Sequence, residues 1–532
     1  MEDRIDIEAD VLVIGGGMAA CWAAIAAART GAAVVLVDKG FVGTSGVTAT
    51  GGPNHWWVPP DPVARREAID RRMATAFGLA DPEWMARIID VTWRLLPQLA
   101  DHYPFATDGK GGTFYSGVRG PEYLRALRAF ATASGARILD HHPALELLVH
   151  RDGSVAGAAG YARLHRRAWM ARAGAVILAT GGCAFRSGLI GSHTNSGDGY
   201  LMAAEAGAIL SGMEFSTAYS LSPAWNSTRT LPYFAARFFD AEGRELDIPP
   251  PMTGTPHLQA LAAAMLAGPV HADLADAPQL LKTILRDIQP ASLTPFERRG
   301  VRLFEERFEV KLFGEGTIRG TGGLRIVDEH CQTDVRGLFA AGDAATRELI
   351  AGATSGGGAQ NSAWALTSGH NAGEGAARLA RSIGRRAQDP ARGTGQAGLR
   401  PASAVRAVDG QAVLRTVQAQ TIAYDKALWR SEASLVASRA CLDDAWRELS
   451  HHHHADGLDQ VGARELAAMT ATARWCIAAA LARDESRGMH IRTDRPDMSL
   501  DKAFRLLTGG LETVWTRPET PAAQSRDTSI AA

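Results

Sequence analysis

Short apolar runs flank an alanine-rich segment at the start of the chain. The run ADVLVI, residues 9–14, is rich in β-branched residues, as a strand buried in a parallel sheet requires. An alanine-rich stretch follows to about Thr30, Gly31 ends it, and AVVLVD comes next as residues 33–38. The pattern predicts a strand, a helix and a second strand, which together form a β-α-β unit.

Two similar runs occur much later and predict that the chain returns to the same sheet. RAGAVILATGG covers residues 172–182, and TDVRGLFAAGDAA covers residues 333–345. A glycine-rich loop and a helix that begins near Asn361 follow in GGGAQNSAWALTSGHNAGEGAARLA. Further along, VQAQTIAYDKALWRSEASLVASRACLDDAW and ARELAAMTATARWCIAAALARDES space their apolar residues as helices do.

The turn after the first strand carries a nucleotide-binding pattern. Gly15 to Ala20 fit G-x-G-x-x-A, in which Gly15 permits a tight turn and Gly17 lets a pyrophosphate approach the backbone. Ala20 lets the helix pack closely on the sheet, and the helix N-terminus favours phosphate. Asp38 closes the second strand, where its carboxylate can accept a ribose hydroxyl. The segment therefore predicts a dinucleotide site.

The later returns to the sheet favour FAD over NAD as the dinucleotide. An NAD domain gives no reason for them, whereas an extended FAD must contact several strand ends. Thr180 and Gly181 end one such strand, and Asp343 ends another, where it would bind the ribityl or phosphate part. The helix after Asn361 and Ser362 would direct its positive end at the flavin pyrimidine.

Composition and charge narrow the class of protein. At 532 residues the chain is longer than one core usually supports, so two or three domains are expected. The net charge of −1 gives no reason to expect a nucleic-acid partner. Five scattered cysteines without a C-x-x-C pair argue against a disulfide framework, a zinc site or an iron–sulfur cluster in this chain. An acidic N-terminus and the lack of a long apolar run predict a cytoplasmic protein without a membrane span.

These motifs resemble a known flavoprotein family. GGGMAA, VDKG, SGVTATGG, ATGG, NSGDG followed by GMEF, GLFAAGDAA, QNSA and RDESRGMHIRTDRP occur in the family's order. The chain is similar to the flavoprotein subunits of succinate dehydrogenase and fumarate reductase, to L-aspartate oxidase and to the α subunit of adenylylsulfate reductase. The adenylylsulfate-reductase-like branch is the nearest in its motifs, although its chemistry is only a minor option for this chain.

The resemblance implies further cofactor contacts. Lys39 lies in VDKG and Asp198 in SGDG, and both match positions at the flavin. Ser45 and Gly46 lie in the loop that runs under the flavin in these proteins. Membrane-bound members attach FAD covalently through a histidine of that loop. The loop here reads GTSGVTATGG, so the resemblance implies FAD that is bound noncovalently.

The chain departs from the family where the dicarboxylate enzymes bind substrate. Tyr219 and Ile318 stand where those enzymes have histidines, and Gly357 stands where they have an arginine. The stretch TGTPHLQALAAAMLAGPVHADL, which corresponds to the helix of the proton-donating arginine, contains no arginine. Because two carboxylates beside a flavin need paired cations, succinate, fumarate and aspartate are disfavoured as substrates.

Three side chains are the catalytic candidates. Tyr219 follows M-E-F and would act as a proton donor or hydrogen-bond partner, with a packed tyrosine as the alternative. Arg319 lies beside a G-x-G-G turn and would anchor an anion or donate a proton, with a surface arginine as the alternative. His55 follows the flavin loop and would face the substrate, although aromatic residues beside it are more often packing. We predict no metal site.

The expected architecture is α/β with a Rossmann-like FAD-binding domain, an α+β capping domain and a C-terminal helical domain. The expected bounds are 1–224 and 323–385 for the FAD domain, 225–322 for the cap, 405–515 for the helical domain and 516–532 for a tail. The expected function is an FAD-dependent oxidoreductase that moves a hydride between flavin N5 and a small polar substrate. A small iron–sulfur (ferredoxin-like) protein or a soluble carrier is the favoured electron partner, with oxygen as the next option. The alternative is a flavoprotein subunit without substrate chemistry of its own that transfers electrons to such a partner.

Overall fold

The apolar run at the start of the chain forms the centre of the largest sheet. The structure is a computed structural model, and it describes residues 4–107, 109–227, 231–288, 292–355, 357–383 and 390–520. The first strand begins at Ile5, four residues before the predicted run, because Ile5 to Glu8 pair with Trp169 to Arg172 of a neighbouring strand. The first helix and the second strand follow as predicted.

The strands have the following bounds: β1 Ile5–Ile14, β2 Val34–Val37, β3 Ala106–Thr107, β4 Thr113–Phe114, β5 Arg137–Leu139, β6 Ala144–His150, β7 Val155–Ala162, β8 Arg167–Leu178, β9 Leu210–Ser211, β10 Tyr219–Pro223, β11 Arg237–Phe239, β12 Glu245–Leu246, β13 Val270–Asp273, β14 Phe308–Gly314, β15 Gly323–Leu324, β16 Leu338–Ala340, β17 Ala391–Gly393, β18 Leu506–Gly509 and β19 Trp515–Pro518.

The helices have the following bounds: α1 Met18–Arg29, α2 Pro62–Met73, α3 Pro82–Leu95, α4 Gly120–Ala133, α5 Asp198–Glu205, α6 Thr255–Ala267, α7 Gln279–Thr283, α8 Thr294–Arg299, α9 Glu348–Ala351, α10 Gly357–Ile383, α11 Gly410–Thr421, α12 Tyr424–Ala427, α13 Glu432–His452 and α14 Asp459–Ala482.

The main sheet joins strands that are far apart in the sequence, as the late apolar runs predict. Its order is β17-β6-β7-β8-β1-β2-β5, and β16 also pairs with β8. Strands β1, β2, β5, β8 and β16 pair with one another in parallel, whereas β17, β6 and β7 form antiparallel pairs, the last of them with β8. The parallel part is therefore the Rossmann-like α/β unit, and the antiparallel part extends one side of it.

Helix α10 lies against α1, and two glycines allow their close approach. A Cβ atom on Gly369 would lie 2.4 Å from the carbonyl oxygen of Ala19, and one on Gly373 would lie 2.3 Å from that of Ala23. Any larger residue at these positions would push the helices apart. Helix α10 begins at Gly357, four residues earlier than predicted, so Asn361 is its fifth residue and lies in its second turn.

A second sheet with its own core forms the cap. Its five antiparallel strands have the order β10-β14-β13-β11-β12. Tyr219 in β10 pairs with Gly314 in β14, so the chain enters and leaves the cap side by side. The cap therefore covers about 219–314, and the predicted bounds of 225–322 are shifted because the two crossing strands pair at these residues. Glu315 to Gly322 return to the main domain, where Thr317 exchanges hydrogen bonds with Cys183.

The C-terminal helices pack on the FAD domain as well as on one another. Helix α14 is buried along most of its length, because it contacts α13, α11, α5 and β18. The predicted tail begins too early, since Trp515 to Pro518 form β19 and pair with β18. Residues 521–532 of that tail lie outside the described residues. In the described part of the chain, none of the helices has both the length and the apolar character needed to cross a membrane.

Candidate cofactor and substrate site

A groove lies at the carboxyl ends of four parallel strands. The residues that directly follow β1, β2, β8 and β16 all line it, namely Gly15, Asp38, Ala179 and Ala341. Parallel strands bring their carboxyl ends to one edge of a sheet, and ligands of open α/β sheets bind there. Segments distant in sequence therefore meet at one site, as the sequence predicts.

The glycines of the first turn shape one wall of the groove. Gly15 has a φ of +123°, and a Cβ atom there would lie 2.2 Å from the carbonyl oxygen of Ala179. A Cβ atom on Gly17 would meet nothing within 4 Å, although this residue lines the groove. Gly15 is therefore required by the neighbouring strand, whereas Gly17 leaves room for a ligand. Ala20 is fully buried in α1, where it serves the packing of the helix.

Asp38 is buried at the end of β2 and holds the flavin-loop residues in place. Its Oδ2 accepts hydrogen bonds from the Gly40 amide at 2.9 Å and from the Ser45 hydroxyl. Oδ1 has no donor among the described residues. Ser45 and Gly46 both line the groove beside it. One carboxylate oxygen thus orders the loop, and the other remains for a ligand hydroxyl.

Three buried polar side-chain atoms on the groove wall lack a protein partner. Thr180 Oγ1, Asn195 Oδ1 and Asn361 Oδ1 are buried and accept no hydrogen bond from the described residues. Buried polar atoms are almost always hydrogen-bonded, so such a group at a groove points to a ligand. Asn195 was not predicted from the sequence. Its only signal was its place just before the S-G-D-G motif.

The first two turns of α10 lie at the same groove. Gly357, Gly358, Asn361 and Ser362 line it, so the free amide groups and the positive end of the helix are directed there. Asp343 also lines the groove, and one of its oxygens accepts from the guanidinium of Arg347. Arg347 is 1% exposed and also donates to the carbonyls of Thr317 and Gly320, so it ties Asp343 to the 317–320 turn.

Lys39 lies on the groove wall, but its ammonium group is already paired with two carboxylates of the protein. Its Nζ donates to Ser196 at 3.0 Å, to Asp198 at 2.6 Å and to Glu465 of α14 at 2.8 Å. Burial lowers the pKa of Lys39, but the two carboxylates outweigh it and the pKa is raised overall. Asp198 also accepts from Ser196 and is not among the lining residues, so its predicted flavin contact stays a prediction that this placement does not support.

Arg319 lies on the groove with an accessible guanidinium. Its side chain is 33% exposed, and its Nε lies 3.6 Å from Oε2 of the buried Glu315. The turn Gly316–Ile318 leads into it, and Ile318 lines the groove as well. Of the three catalytic candidates from the sequence, Arg319 is the one that the structure brings to the groove.

Tyr219 lies at the foot of the cap, away from the groove wall. Its hydroxyl donates to the carbonyl oxygen of Ile422 at 3.1 Å, and its ring packs against Tyr424. Burial raises the pKa of this hydroxyl well above its ordinary value. The predicted flavin-facing position is corrected by this geometry, because β10 turns the side chain toward the helical domain. A catalytic role for Tyr219 stays a prediction without support from its position.

His55 is buried behind the flavin loop. Its Nε2 accepts from the hydroxyl of Tyr123 at 3.1 Å, and that hydroxyl also accepts from the Trp22 indole. Burial lowers the pKa of His55 to about 4, so the ring is neutral near pH 7. His55 does not line the groove, and its contacts attach the flavin loop to α4 and α1. Its substrate-facing role likewise stays a prediction that the geometry does not support.

The C-terminal motif RDESRGMHIRTDRP holds the M-E-F segment by buried ion pairs. Arg483 donates to Glu214 Oε1 at 2.7 Å and to Glu485 at 3.1 Å. Arg430 of the helical domain donates to the carbonyl of Glu214 and to Nδ1 of His490, each at 2.7 Å. Burial lowers the pKa of Arg430 to about 10. The motif is therefore a structural clamp on the segment that leads into the cap.

The groove as a whole fits an extended dinucleotide. It offers a glycine turn open to a phosphate, a carboxylate oxygen at a strand end, three buried polar atoms without partners and a helix N-terminus. These features are spread from Gly15 to Ala365 along one groove. Among the described residues, no cluster of histidine, cysteine or acidic side chains is arranged to hold a metal ion.

Comparison with known proteins matches two parts of the chain to flavoprotein family models. The family model of the FAD binding domain matches residues 10–231, and that of the fumarate reductase flavoprotein C-terminus matches residues 421–517. A fumarate reductase (CoM/CoB) subunit from Methanothermobacter marburgensis is 29% identical, over 92% of this chain and 95% of its own. L-Aspartate oxidase from Mycobacterium leprae is 29% identical, over 93% of this chain and 94% of its own.

Solved structures share the fold at lower sequence identity. Quinol fumarate reductase of E. coli superposes with a TM-score of 0.81 at 20% identity, over 97% of both chains. Adenylylsulfate reductase of Archaeoglobus fulgidus has a TM-score of 0.74 at 18% identity, over 99% of this chain and 98% of its own. The three-part α/β architecture predicted from the sequence is confirmed.

Proposed function

Because the chain belongs to the succinate dehydrogenase and fumarate reductase family of FAD-dependent oxidoreductases, we propose that it moves a hydride between FAD and a small polar substrate that is not a dicarboxylate. Bound FAD supplies a two-electron acceptor or donor at its isoalloxazine ring. The proposed cofactor set consists of eleven groove-lining residues and of Ala20 and Asp198, which lie behind the groove wall: Gly15, Gly17, Ala20, Asp38, Lys39, Ser45, Gly46, Thr180, Gly181, Asp198, Asp343, Asn361 and Ser362.

The single observation that carries the proposal is the position of Arg319. It lines the groove with one-third of its side chain exposed, whereas the other lining lysine or arginine in the described residues, Lys39, is bound to two carboxylates. A guanidinium binds an anionic or carbonyl oxygen through paired N–H groups. Arg319 therefore anchors one oxygen-bearing group of the substrate. A second carboxylate would lack an equivalent partner.

The substrates in the names of the fumarate reductase and L-aspartate oxidase relatives are not assigned to this chain. Their family's substrate histidine and arginine positions hold Tyr219, Ile318 and Gly357 in this chain. None of these three side chains can bind a carboxylate as an ion pair. The cost of a buried unpaired carboxylate, several kcal/mol, supports a substrate with at most one negative charge.

A substrate screen tests the proposal with matched arginine variants. The FAD-loaded protein is photoreduced anaerobically with a sacrificial electron donor, and candidate monocarboxylates, hydroxy acids and dicarboxylates are mixed with its oxidised and reduced forms. We expect a singly charged or neutral compound to change the flavin absorbance at about 450 nm. Arg319→Gln should lower kcat/KM by roughly 100-fold, and Arg319→Lys should retain more of it. Turnover of succinate or fumarate at rates above those of all monocarboxylates would contradict the proposal.

Tyr219→Phe separates the two acid candidates. The variant keeps the ring packing and removes the hydrogen bond to Ile422. We expect unchanged kcat/KM and a loss of about 1 kcal/mol in the free energy of unfolding. A loss of turnover without a loss of stability would instead assign the proton transfer to Tyr219.

We propose that FAD is held noncovalently. No histidine lines the groove in the described residues, and the flavin loop itself contains none. Acid precipitation should therefore release all of the yellow cofactor into the supernatant. Colour that remains in the pellet after washing would show a covalent bond.

We also propose an iron–sulfur protein as electron partner. The relative from Methanothermobacter marburgensis is named as one subunit of its enzyme. A second G-x-G-x-x-G, Gly393 to Gly398, follows the antiparallel strand β17 but does not lead into a helix, so it lacks the strand–turn–helix unit that binds NAD(P)H. Affinity purification from the native cell under anaerobic conditions should retain a brown polypeptide that reoxidises the flavin. Reoxidation by oxygen alone at the full turnover rate would argue against such a partner.

A further inference from the structure

Glu315 places a buried negative charge directly beside Arg319. Its side chain is 3% exposed, and its Oε2 lies 3.6 Å from Nε of Arg319. Its other oxygen, Oε1, accepts a hydrogen bond from the hydroxyl of Ser220 in β10. The carboxylate of Glu315 therefore lies between the Ser220 hydroxyl and the Arg319 guanidinium. Glu315 is not itself part of the groove wall.

The backbone fixes Glu315 where the cap joins the main domain. Its amide donates to the carbonyl of Ala218 at 2.8 Å, which continues the pairing of Tyr219 with Gly314. Ser220 is the next residue on the same strand and faces the carboxylate. The two crossing strands of the cap thus supply both the anion and its hydroxyl donor.

The charge at Glu315 acts on any anion that Arg319 binds. A carboxylate on the far side of the guanidinium lies within several ångströms of Glu315 and is repelled by it. Repulsion at this range in a partly buried site changes affinity by about tenfold or more for each charge. A substrate with two negative charges is penalised twice, and discrimination of this kind comes from a built-in repulsive element.

We infer that Glu315, held by Ser220, is a specificity-determining residue that makes the Arg319 site reject doubly charged substrates. The inference rests on the proposed function, because it takes Arg319 as the substrate anchor. It assigns part of the substrate selectivity to a residue outside the groove wall. Equilibrium binding of anions tests it without any measurement of turnover.

Equilibrium binding of two probe anions to the FAD-loaded protein tests the inference. Acetate and succinate are titrated at about pH 7.5 and low salt, and binding is followed by the change in the flavin absorbance spectrum. We expect Glu315→Gln to tighten succinate binding by about tenfold or more and acetate binding by a smaller factor. Added salt should reduce the difference between variant and wild type.

Glu309→Gln is the matched control. Glu309 is exposed and lies in β14, the strand that directly precedes Glu315. The substitution Glu309→Gln removes one negative charge, as Glu315→Gln does. We expect it to leave both affinities within about twofold of wild type. Ser220→Ala retains both charges and should change succinate affinity by less than about threefold. Thermal unfolding of each variant confirms that it is folded.

Two outcomes would overturn the inference. One is succinate affinity in Glu315→Gln that is equal to or weaker than that of wild type. The other is an equal gain in Glu309→Gln, which would assign the effect to overall charge. Anion binding that survives in Arg319→Gln would instead refute the anchor of the proposed function, and the Glu315 measurement would distinguish the two failures.

Discussion

At the scale of single residues, Gly15 and Gly17 serve the cofactor groove for different reasons. Gly15 has no room for a side chain beside Ala179, whereas Gly17 borders only the groove. The backbone of Gly17, with φ −82° and ψ −171°, is open to any residue. The sequence motif treats the two glycines alike, but the structure separates a folding requirement from a binding requirement.

Gly17→Val therefore affects binding rather than folding. The added side chain enters the groove where a pyrophosphate would approach, so we expect FAD affinity to fall by at least about tenfold. The free energy of unfolding of the apoprotein should stay within about 0.5 kcal/mol of wild type. Fluorescence titration with FAD and urea unfolding measure the two quantities.

Gly15→Ala and Gly462→Ala are the comparison variants. Gly15→Ala should lower both FAD affinity and stability, because its Cβ would overlap with Ala179. Gly462 lies in α14 with nothing near its Cβ position, so Gly462→Ala should change neither FAD affinity nor the fold. Loss of apoprotein stability in Gly17→Val comparable to that in Gly15→Ala would contradict this division.

Glu348 gives the stability of the protein a defined pH dependence. It is fully buried, and burial followed by the charge of Glu214 raises its pKa from 4.5 to about 8. The folded chain therefore retains a proton that the unfolded chain releases above about pH 4.5. Stability falls as the pH rises from 4.5 to 8 and falls no further from this group above pH 8.

Glu348→Gln should remove this pH-dependent loss. We expect the free energy of unfolding of the variant to exceed that of wild type by on the order of 5 kcal/mol at about pH 8.5 and to match it below about pH 4.5. Urea unfolding over this pH range provides the measurement. Glu297→Gln, at an exposed position, should run parallel to wild type. Identical pH profiles for wild type and Glu348→Gln would show that Glu348 does not titrate in this range.

At the scale of elements, the segment from Arg483 to Arg492 fixes the approach to the cap. Arg483 is 2% exposed and bridges Glu214 and Glu485, which are equally buried. We expect Arg483→Leu to cost about 3–5 kcal/mol in urea unfolding, because it leaves buried carboxylates without their cation. Arg495→Leu removes an exposed pair with Asp484 in the same RDESRGMHIRTDRP motif and should cost under about 1 kcal/mol. Similar losses in the free energy of unfolding in both variants would contradict a stabilising role for the buried Arg483 ion pairs.

The elements also show what the sequence can and cannot predict. The strands and the helix around Gly15 were predicted because local pattern determines them: β-branched runs, a glycine turn and an alanine helix. The direction of Tyr219 was not, because it depends on pairing with Gly314, almost a hundred residues away. The same holds for Asn195, whose exposure to the groove depends on how its loop folds back beside Gly181. Pattern identifies elements, but only tertiary pairing shows where a side chain points.

At the scale of the whole molecule, one ligand would bridge segments that are far apart in the chain. The groove wall contains residues from Gly15 to Ala365 and includes turns after four strands. FAD at about 100 times its dissociation constant should raise the free energy of unfolding by about 2.7 kcal/mol. Thermal unfolding with increasing FAD measures this, and NAD at equal concentration should produce no shift. Equal stabilisation by NAD would contradict the assignment of the groove to FAD.

The side-by-side crossing of the chain at Tyr219 and Gly314 has a consequence for how such proteins diversify. Paired residues of an antiparallel ladder lie only about 5 Å apart, so the ends of the cap can be joined by a short turn. If the cap between them were removed or replaced, the chain of the main domain could still continue directly from β10 to the residues after β14. The cap is thus inserted between two neighbouring points of the main domain, and its replacement at this one strand pair would leave the groove-lining residues in place.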